Sequence, residues 1–357
     1  MPCSPFVYFT DTYMRKILFI INPKSGTDKK IFVRQSIGRY IDTTLFDYKI
    51  RYTEYAQHAE VLAKEAVSQG FDVVVAVGGD GTVNEVARAL IHTETALGII
   101  PCGSGNGLAR HLQIPVDTIG AIKLINAYAV KSLDYGVINN MPFFCTCGMG
   151  FDAFVSMKFA EGGKRGMLSY IENTLRETLA YKPDTYTIQF DNQEVTQKAF
   201  VIACGNASQY GNNAFITPFA SMSDGLMDVT ILEPFTALEA PQLAVQLFNG
   251  TLHTNSRVKM FKAKSVKISR NVNSPVHCDG DPIKTDLDIN VHIEHQGINV
   301  LVNPKGLPRR VNLMQVFSDQ INEIPSHMLE LQTDLMRTEK NIKQQGKSVI
   351  DRLKKGL

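Results

Sequence analysis

At about residue 133 the hydrophobic rhythm of this 357-residue chain changes, and nothing else in the sequence constrains the fold as tightly. From Lys16 to about Ser132, the short apolar runs "ILFII" (17–21), "VVVAV" (73–77) and "LGII" (97–100) alternate with amphipathic stretches. Each run is too short for a helix and has no polar face, as a strand covered on both sides requires. Between the runs, Ala56, Ala59, Ala63, Ala66 and Val67 form one helical stripe, and Val83, Val86, Ala87, Leu90 and Ile91 form another. Strand and helix in alternation predict an open parallel sheet with right-handed crossovers. Beyond Leu133 the period drops to two. "LDYGVI" and "FFCTC" flank Asn139-Asn140, "YTIQF" and "VTQKAFVIAC" flank "DNQE", and "VKMFKAKSVKISR" and "DLDINVHIE" continue the alternation. Hairpins in an antiparallel β domain are expected, interrupted by helical pieces near 152–160, 167–180 and 236–249.

The expected fold class is therefore α/β plus all-β. An N-terminal extension covers 1–14, an α/β nucleotide-binding domain 15–132, and a β-rich substrate domain 133–303. A return segment and polar helical tail follow over 304–357. The formal charge of +2, with 44% hydrophobic and 20% charged residues, excludes a disordered chain and a nucleic-acid binder driven by gross basicity. Six cysteines without paired CxxC spacing read as reduced core thiols of a cytoplasmic protein, not as zinc ligands or disulfides. No apolar stretch approaches the roughly 20 residues of a membrane span, so any membrane contact is expected to be peripheral, at the inner face.

In "VVVAVGGDGTVNEV" a strand ends in Gly78, Gly79, Asp80 and Gly81, and a helix is expected from Thr82, with Glu85 at the spacing of a capping box. Glycines let the backbone turn sharply and approach a ligand, and free N–H groups at a helix start favour an anion, so phosphate is the natural guest. Asp80 beside phosphate calls for a bridging cation such as Mg²⁺. A second strand leads into Gly103, Ser104, Gly105, Asn106 and Gly107, and "NPKSG" supplies a third turn from Asn22 to Gly26. Three such turns at the carboxyl edge of one parallel sheet describe a polyphosphate site. There is neither a GxxxxGK[ST] loop nor a GxGxxG fingerprint.

"GGDGTVNEV" with "PCGSGNGLAR", then "SDGLMDVTIL" and "DGD", resembles the diacylglycerol kinase catalytic family of bacterial lipid kinases, related to sphingosine and ceramide kinases, over about Lys16 to Asn303. The resemblance implies an NAD kinase/diacylglycerol kinase-like nucleotide domain and an active site in the cleft between the two domains. It implies ATP binding by Asn22, Pro23, Lys24, Ser25 and Gly26, by Thr53, by Gly78, Gly79, Asp80, Gly81, Thr82, Val83 and Asn84, and by Gly103, Ser104 and Asn106. It further implies a structural Mg²⁺ on Asp224 with main-chain oxygens of Ser221 and Leu226, and an acidic pair, Asp279 and Asp281, beside the transferred phosphate. Gly107 stands where relatives carry an aspartate of a magnesium-linked network, and Asp281 where they carry glutamate.

Phosphoryl transfer needs a positioned triphosphate, a cation over the developing charge and an acceptor for the hydroxyl proton. The glycine turns supply the first, Asp80 with Mg²⁺ the second, and Asp279 or Asp281 the third, with Asp279 favoured as base. The expected activity is an ATP-dependent kinase of a lipid primary hydroxyl at a membrane surface, with homodimerisation left open. An NAD-kinase-type enzyme and a non-catalytic nucleotide or lipid sensor are the rivals.

Overall fold

The computed structural model describes residues 14–25, 30–162, 181–191, 193–236 and 238–304. The N-terminal extension, Gly26, the helix expected near 167–180 and the polar tail beyond 304 lie outside them.

The first half folds as its rhythm demands. Strands β1 (Arg15–Ile21), β2 (Phe46–Tyr52), β3 (Val73–Gly78) and β4 (Ala96–Pro101) pair in parallel, in the order β2-β1-β3-β4. Every residue of β3 and β4 is buried, which is why those runs carry no polar alternation. Helix α1 (Lys30–Tyr40) joins β1 to β2 and α2 (His58–Ser68) joins β2 to β3. Helix α3 (Asp80–Leu90) follows β3 directly and buries Val83, Val86, Ala87 and Leu90. Short α4 (Gly107–His111) and α5 (Thr118–Ala127) complete this half.

The second half contributes to two sheets. One is wholly antiparallel: β7 (Thr146–Gly150), β10 (Val201–Gly205), β11 (Met227–Leu232), β12 (Val258–Ala263), β14 (Val276–Cys278) and β15 (Asp281–Ile283), ordered β12-β11-β10-β7-β14-β15. The other extends the parallel sheet. The long β16 (Asp288–Leu301) meets β4 at Val300 and Leu97, and β13 (Ser265–Arg270), β8 (Asp184–Phe190) and β9 (Gln193–Ala199) follow beyond it. Strand β5 (Val130–Ile138) pairs with β16 and with β6 (Met141–Phe143).

Three stretches that read as single runs divide between the sheets. "FFCTC" holds the end of β6 and the start of β7, "VTQKAFVIAC" breaks at Phe200 between β9 and β10, and "VKMFKAKSVKISR" breaks at Lys264 between β12 and β13. Such corners let one chain serve both faces of a sandwich. The core between the sheets takes Tyr186, Ile188, Val266 and Ile289 from one and Met149, Ile202, Val229 and Cys278 from the other. Helices Phe151–Gly162 (α6) and Ala240–Phe248 lie near the helical pieces expected there. Among the described residues no helix is long and apolar enough to cross a membrane.

Candidate functional site

Three turns converge at the carboxyl edge of β1, β3 and β4, and side chains of the glycine motifs tie them together. Asn22 donates through Nδ2 to Thr82 Oγ1 at 3.0 Å and accepts from the Lys24 N–H at 2.9 Å, joining the first turn to the second. Asp80 joins the second to the third: Oδ2 accepts from Asn106 N–H at 2.8 Å and Oδ1 from Gly107 N–H at 2.6 Å. The two turns touch backbone to backbone, since a Cβ on Gly103 would stand 2.7 Å from the Gly79 Cα. Only glycine fits there.

Helix α3 starts at Asp80, capped by Gly79, and not at Thr82. The expected capping box is therefore absent, because Glu85 lies beyond the first turn. Glu85 instead accepts the N–H groups of Gln57 and Ala59, each at 3.1 Å, and fixes the start of α2.

Of the residues expected to meet nucleotide, Pro23, Lys24, Gly81 and Ser104 are exposed, and Asn22, Ser25, Gly79, Asp80 and Gly103 are half-buried. Thr53, Gly78, Thr82, Val83, Asn84 and Asn106 are buried. The Val83 side chain belongs to the apolar core, leaving only its backbone near the turn. Thr53 stands beside the first turn, its N–H on Ile21 O at 3.0 Å. Asn106, at φ 52°, folds its amide back on Gly103, accepting its N–H and donating to its carbonyl. Space for a phosphate lies in front of Gly81, where a Cβ would meet nothing within 4 Å. With the first-turn N–H groups of α3 lacking intrahelical acceptors, the turns fit the phosphates of a nucleotide.

The acidic turn sits across from them. Asp279 is a clasp whose Oδ2 accepts from Phe144 N–H at 2.8 Å, and whose Oδ1 accepts from Cys145 and Thr146 N–H at 2.8 and 3.0 Å. Burial pushes its pKa up to about 6, against the pull of those three N–H groups. Asp281 opens β15 with its side chain exposed. Desolvation by the surrounding protein raises its carboxyl, and the charge of Arg88, from the last turn of α3, opposes that rise. Burial, and after it the Asp279 and Asp80 carboxylates, lifts the Cys145 thiol well above its ordinary range, which places both aspartates within electrostatic reach of one side chain.

A polar chain behind this turn was not legible in the sequence. Asp152, near the start of α6, accepts through Oδ2 from Tyr210 Oη at 2.8 Å and bonds His277 Nε2 at 3.0 Å. His277 Nδ1 accepts the Gly280 N–H at 3.3 Å, so Nε2 carries the proton toward Asp152. Tyr210 belongs to a loop that abuts the third glycine turn: Asn212 N–H donates to Gly105 O at 2.9 Å, and a Cβ on Gly107 would meet Tyr210 O at 3.2 Å. Glycine at 107 thus gives a direct backbone contact where an aspartate was the family expectation. Arg110 bridges the same loops through Gly105 O and Asn213, and His111 bonds Ser208. The signals that could have found them are the place of His277, two residues before the acidic pair, and the Arg110-His111 pair just after the third glycine turn.

The loop expected to hold a structural metal is tied by its own contacts. Asp224 Oδ1 accepts from Leu226 N–H at 3.2 Å and Oδ2 pairs with Lys262 Nζ at 3.0 Å, so both oxygens are engaged. Ser221 Oγ lies 3.4 Å from Ser223 Oγ. Among the described residues no group of three His, Cys, Asp or Glu side chains could hold a metal ion. Met222 and Met227 are buried in the core, whereas Phe219 is exposed against His253.

Comparison with known proteins agrees with this geometry. The family model "Diacylglycerol kinase catalytic domain" matches residues 16–138, and "YegS C-terminal NAD kinase beta sandwich-like domain" matches 145–302. A "Probable lipid kinase YegS-like" of Klebsiella pneumoniae is 31% identical over 245 residues, covering 65% of this chain and 82% of the relative. The "Diacylglycerol kinase" of Bacillus subtilis is 26% identical over 276 residues, covering 75% and 90%. In fold, the chain is similar to a "putative diacylglycerol kinase from Bacillus anthracis", with a TM-score of 0.69 at 24% identity, covering 85% of this chain and all of that one.

Proposed function

The chain belongs to the diacylglycerol kinase catalytic family and is a lipid kinase of the diacylglycerol kinase/YegS type, and on that premise we propose that it moves the γ-phosphoryl group of ATP to the primary hydroxyl of a diacylglycerol- or sphingosine-like lipid, working peripherally at a membrane surface. The observation that carries this reading is the joining of three glycine-bearing turns by Asn22 and Asp80 opposite a turn with one open carboxylate. The nucleotide supplies the phosphoryl group. The α3 N–H groups, Ser104 and Lys24 hold its phosphates and exclude water from them. Magnesium would accompany the nucleotide and offset the charge on its phosphates.

The base is Asp281, not Asp279. A base must reach its donor at roughly 3 Å or through one water, and the Asp279 oxygens already hold three backbone N–H groups inside the protein. Asp279 sets the turn and Asp281 takes the lipid hydroxyl's proton late in transfer. The Arg88 charge opposes the rise that desolvation gives the Asp281 carboxyl.

The test is γ-labelled ATP with a vesicle-borne panel of diacylglycerols and sphingoid bases, and NAD as a soluble acceptor, with products separated by thin-layer chromatography. Label is expected in one lipid class, and Asp281→Asn is expected to lower kcat by about 100-fold or more with ATP affinity unchanged. Label in NAD, or in nothing, would overturn the reading. An Asp281→Asn enzyme of near-normal rate would return the base to Asp279.

A further inference from the structure

The loop 219–228 precedes and opens β11, and its acidic residues, Asp224 and Asp228, call for a cation. In the antiparallel register of β11 with β12, Lys262 stands directly opposite Asp228. Its ammonium meets Asp228 Oδ2 at 2.6 Å, Asp224 Oδ2 at 3.0 Å and the Phe219 carbonyl at 3.4 Å. An ammonium has three N–H donors. Here they face three oxygens, two of them carboxylate, drawn from the beginning, middle and end of one loop. We propose that Lys262 is the built-in cation of this loop, fixing it in the way a bound metal would, so that the protein needs no structural metal there.

Two further observations support the assignment. Mg²⁺ takes an octahedral shell of oxygens at about 2.0–2.1 Å, and the carboxylate that would open that shell is already engaged at both oxygens. Asp224 Oδ1 is on Leu226 N–H, Met222 O accepts the Asp134 N–H at 2.8 Å, and Gly225 N–H donates to Asp134 Oδ2 at 2.8 Å. A dication brought to Asp224 would also lie within a few ångströms of the ammonium, and like charges at that range repel strongly where solvent is partly excluded. The second observation is Gly107. With no aspartate there, the third glycine turn packs directly on the Tyr210–Gly211 backbone, so nothing on that side asks for a metal-linked bridge. A tethered cation gives a loop that chelators cannot loosen.

The experiment uses the full-length, nucleotide-free protein and reads Tm in excess EDTA and in millimolar Mg²⁺, with Asp224→Asn measured alongside to subtract binding elsewhere. The wild type is expected to show no Mg²⁺ shift that Asp224→Asn abolishes. Lys262→Ala is expected to melt about 2–5 °C lower in EDTA, and Mg²⁺ is expected to restore part of that loss by entering the vacated oxygens. A saturable, Asp224-dependent Mg²⁺ stabilisation of the wild type would overturn the proposal. So would a Lys262→Ala protein as stable as the wild type in EDTA. Should Lys262→Ala fail to fold, the wild-type titration still decides.

Discussion

Asp80 and Asp279 stand in different halves of the molecule, and each is an aspartate of a short motif whose carboxylate receives backbone N–H groups from another part of the chain. Asp80, half-buried, takes two from a turn 26 and 27 residues away. Asp279, also half-buried, takes three from a strand edge 133 to 135 residues away. Losing the first carboxylate strands two N–H groups. Losing the second strands three, on the buried residues Phe144, Cys145 and Thr146. Both residues were expected from the sequence to act in the chemistry, one on a cation and one as base. The comparison shows that a motif aspartate can mark where a site lies while itself fastening the backbone around it.

The strongest way to break the comparison is Asp279→Ala. Each stranded buried donor costs about 1–3 kcal/mol, so a loss on the order of 3–6 kcal/mol is expected in urea unfolding, much of a normal domain's reserve. A loss under about 1 kcal/mol would mean that the pocket admits water and that the two aspartates are equivalent. Asp80→Asn should be milder in stability, about 1–2 kcal/mol. The amide can accept only one of the two N–H groups, and its own N–H₂ opposes the other. Its larger effect should be on nucleotide, with KM for ATP rising about tenfold as the second and third turns part. Unchanged ATP kinetics in that variant would remove the clasp from the site.

Titration sharpens the contrast. The folded pKa of Asp279, about 6, lies above the ordinary carboxyl value of 3.8, so between the two the folded state holds a proton that the unfolded chain has released. That contribution to stability is fully present below about pH 4 and is lost as pH rises through about 6. The ionised form is the better acceptor of three N–H groups, so turnover should rise over the same interval. Activity and Asp279-linked stability should therefore move in opposite directions. Identical pH–stability slopes for wild type and Asp279→Asn would place the titration on another group. The smallest effect is expected from Glu85→Gln, which weakens the cap on α2 by about 0.5–1 kcal/mol without touching either clasp. An order-of-magnitude loss of activity there would show that the α2 start belongs to the nucleotide site.

Much of this architecture could be read from residue patterns. Strands β3 and β4 announce themselves because both faces are covered, and Val83, Val86, Ala87 and Leu90 fall on the buried stripe of α3 as their spacing requires. The passage of a run from one sheet to the other was not legible. At Phe200 and Lys264 the alternation continues through the corner, since both sheets bury residues into the same core. The roles within the site were hidden for a related reason. Residue type and spacing place Asp279 and Asp281 side by side, but only the fold decides that one turns inward to Phe144–Thr146 and the other outward. Asp152 had no signal at all, because its partners His277 and Tyr210 are distant in sequence.

The position of β16 has a consequence for how the chain is made. This strand, among the last to be synthesised, is inserted beside β4 and takes up β5 along its length. A nascent chain that has emerged only as far as residue 133 carries β4 with an open flank at Leu97, and that flank stays open until Val300 leaves the ribosome. An unpaired sheet edge of this kind invites pairing with a second chain. A gene cut at the change in hydrophobic rhythm would thus yield an incomplete sheet, prone to self-association, and not a small nucleotide-binding protein. The apparent seam in the sequence is a place where synthesis must continue before folding can finish.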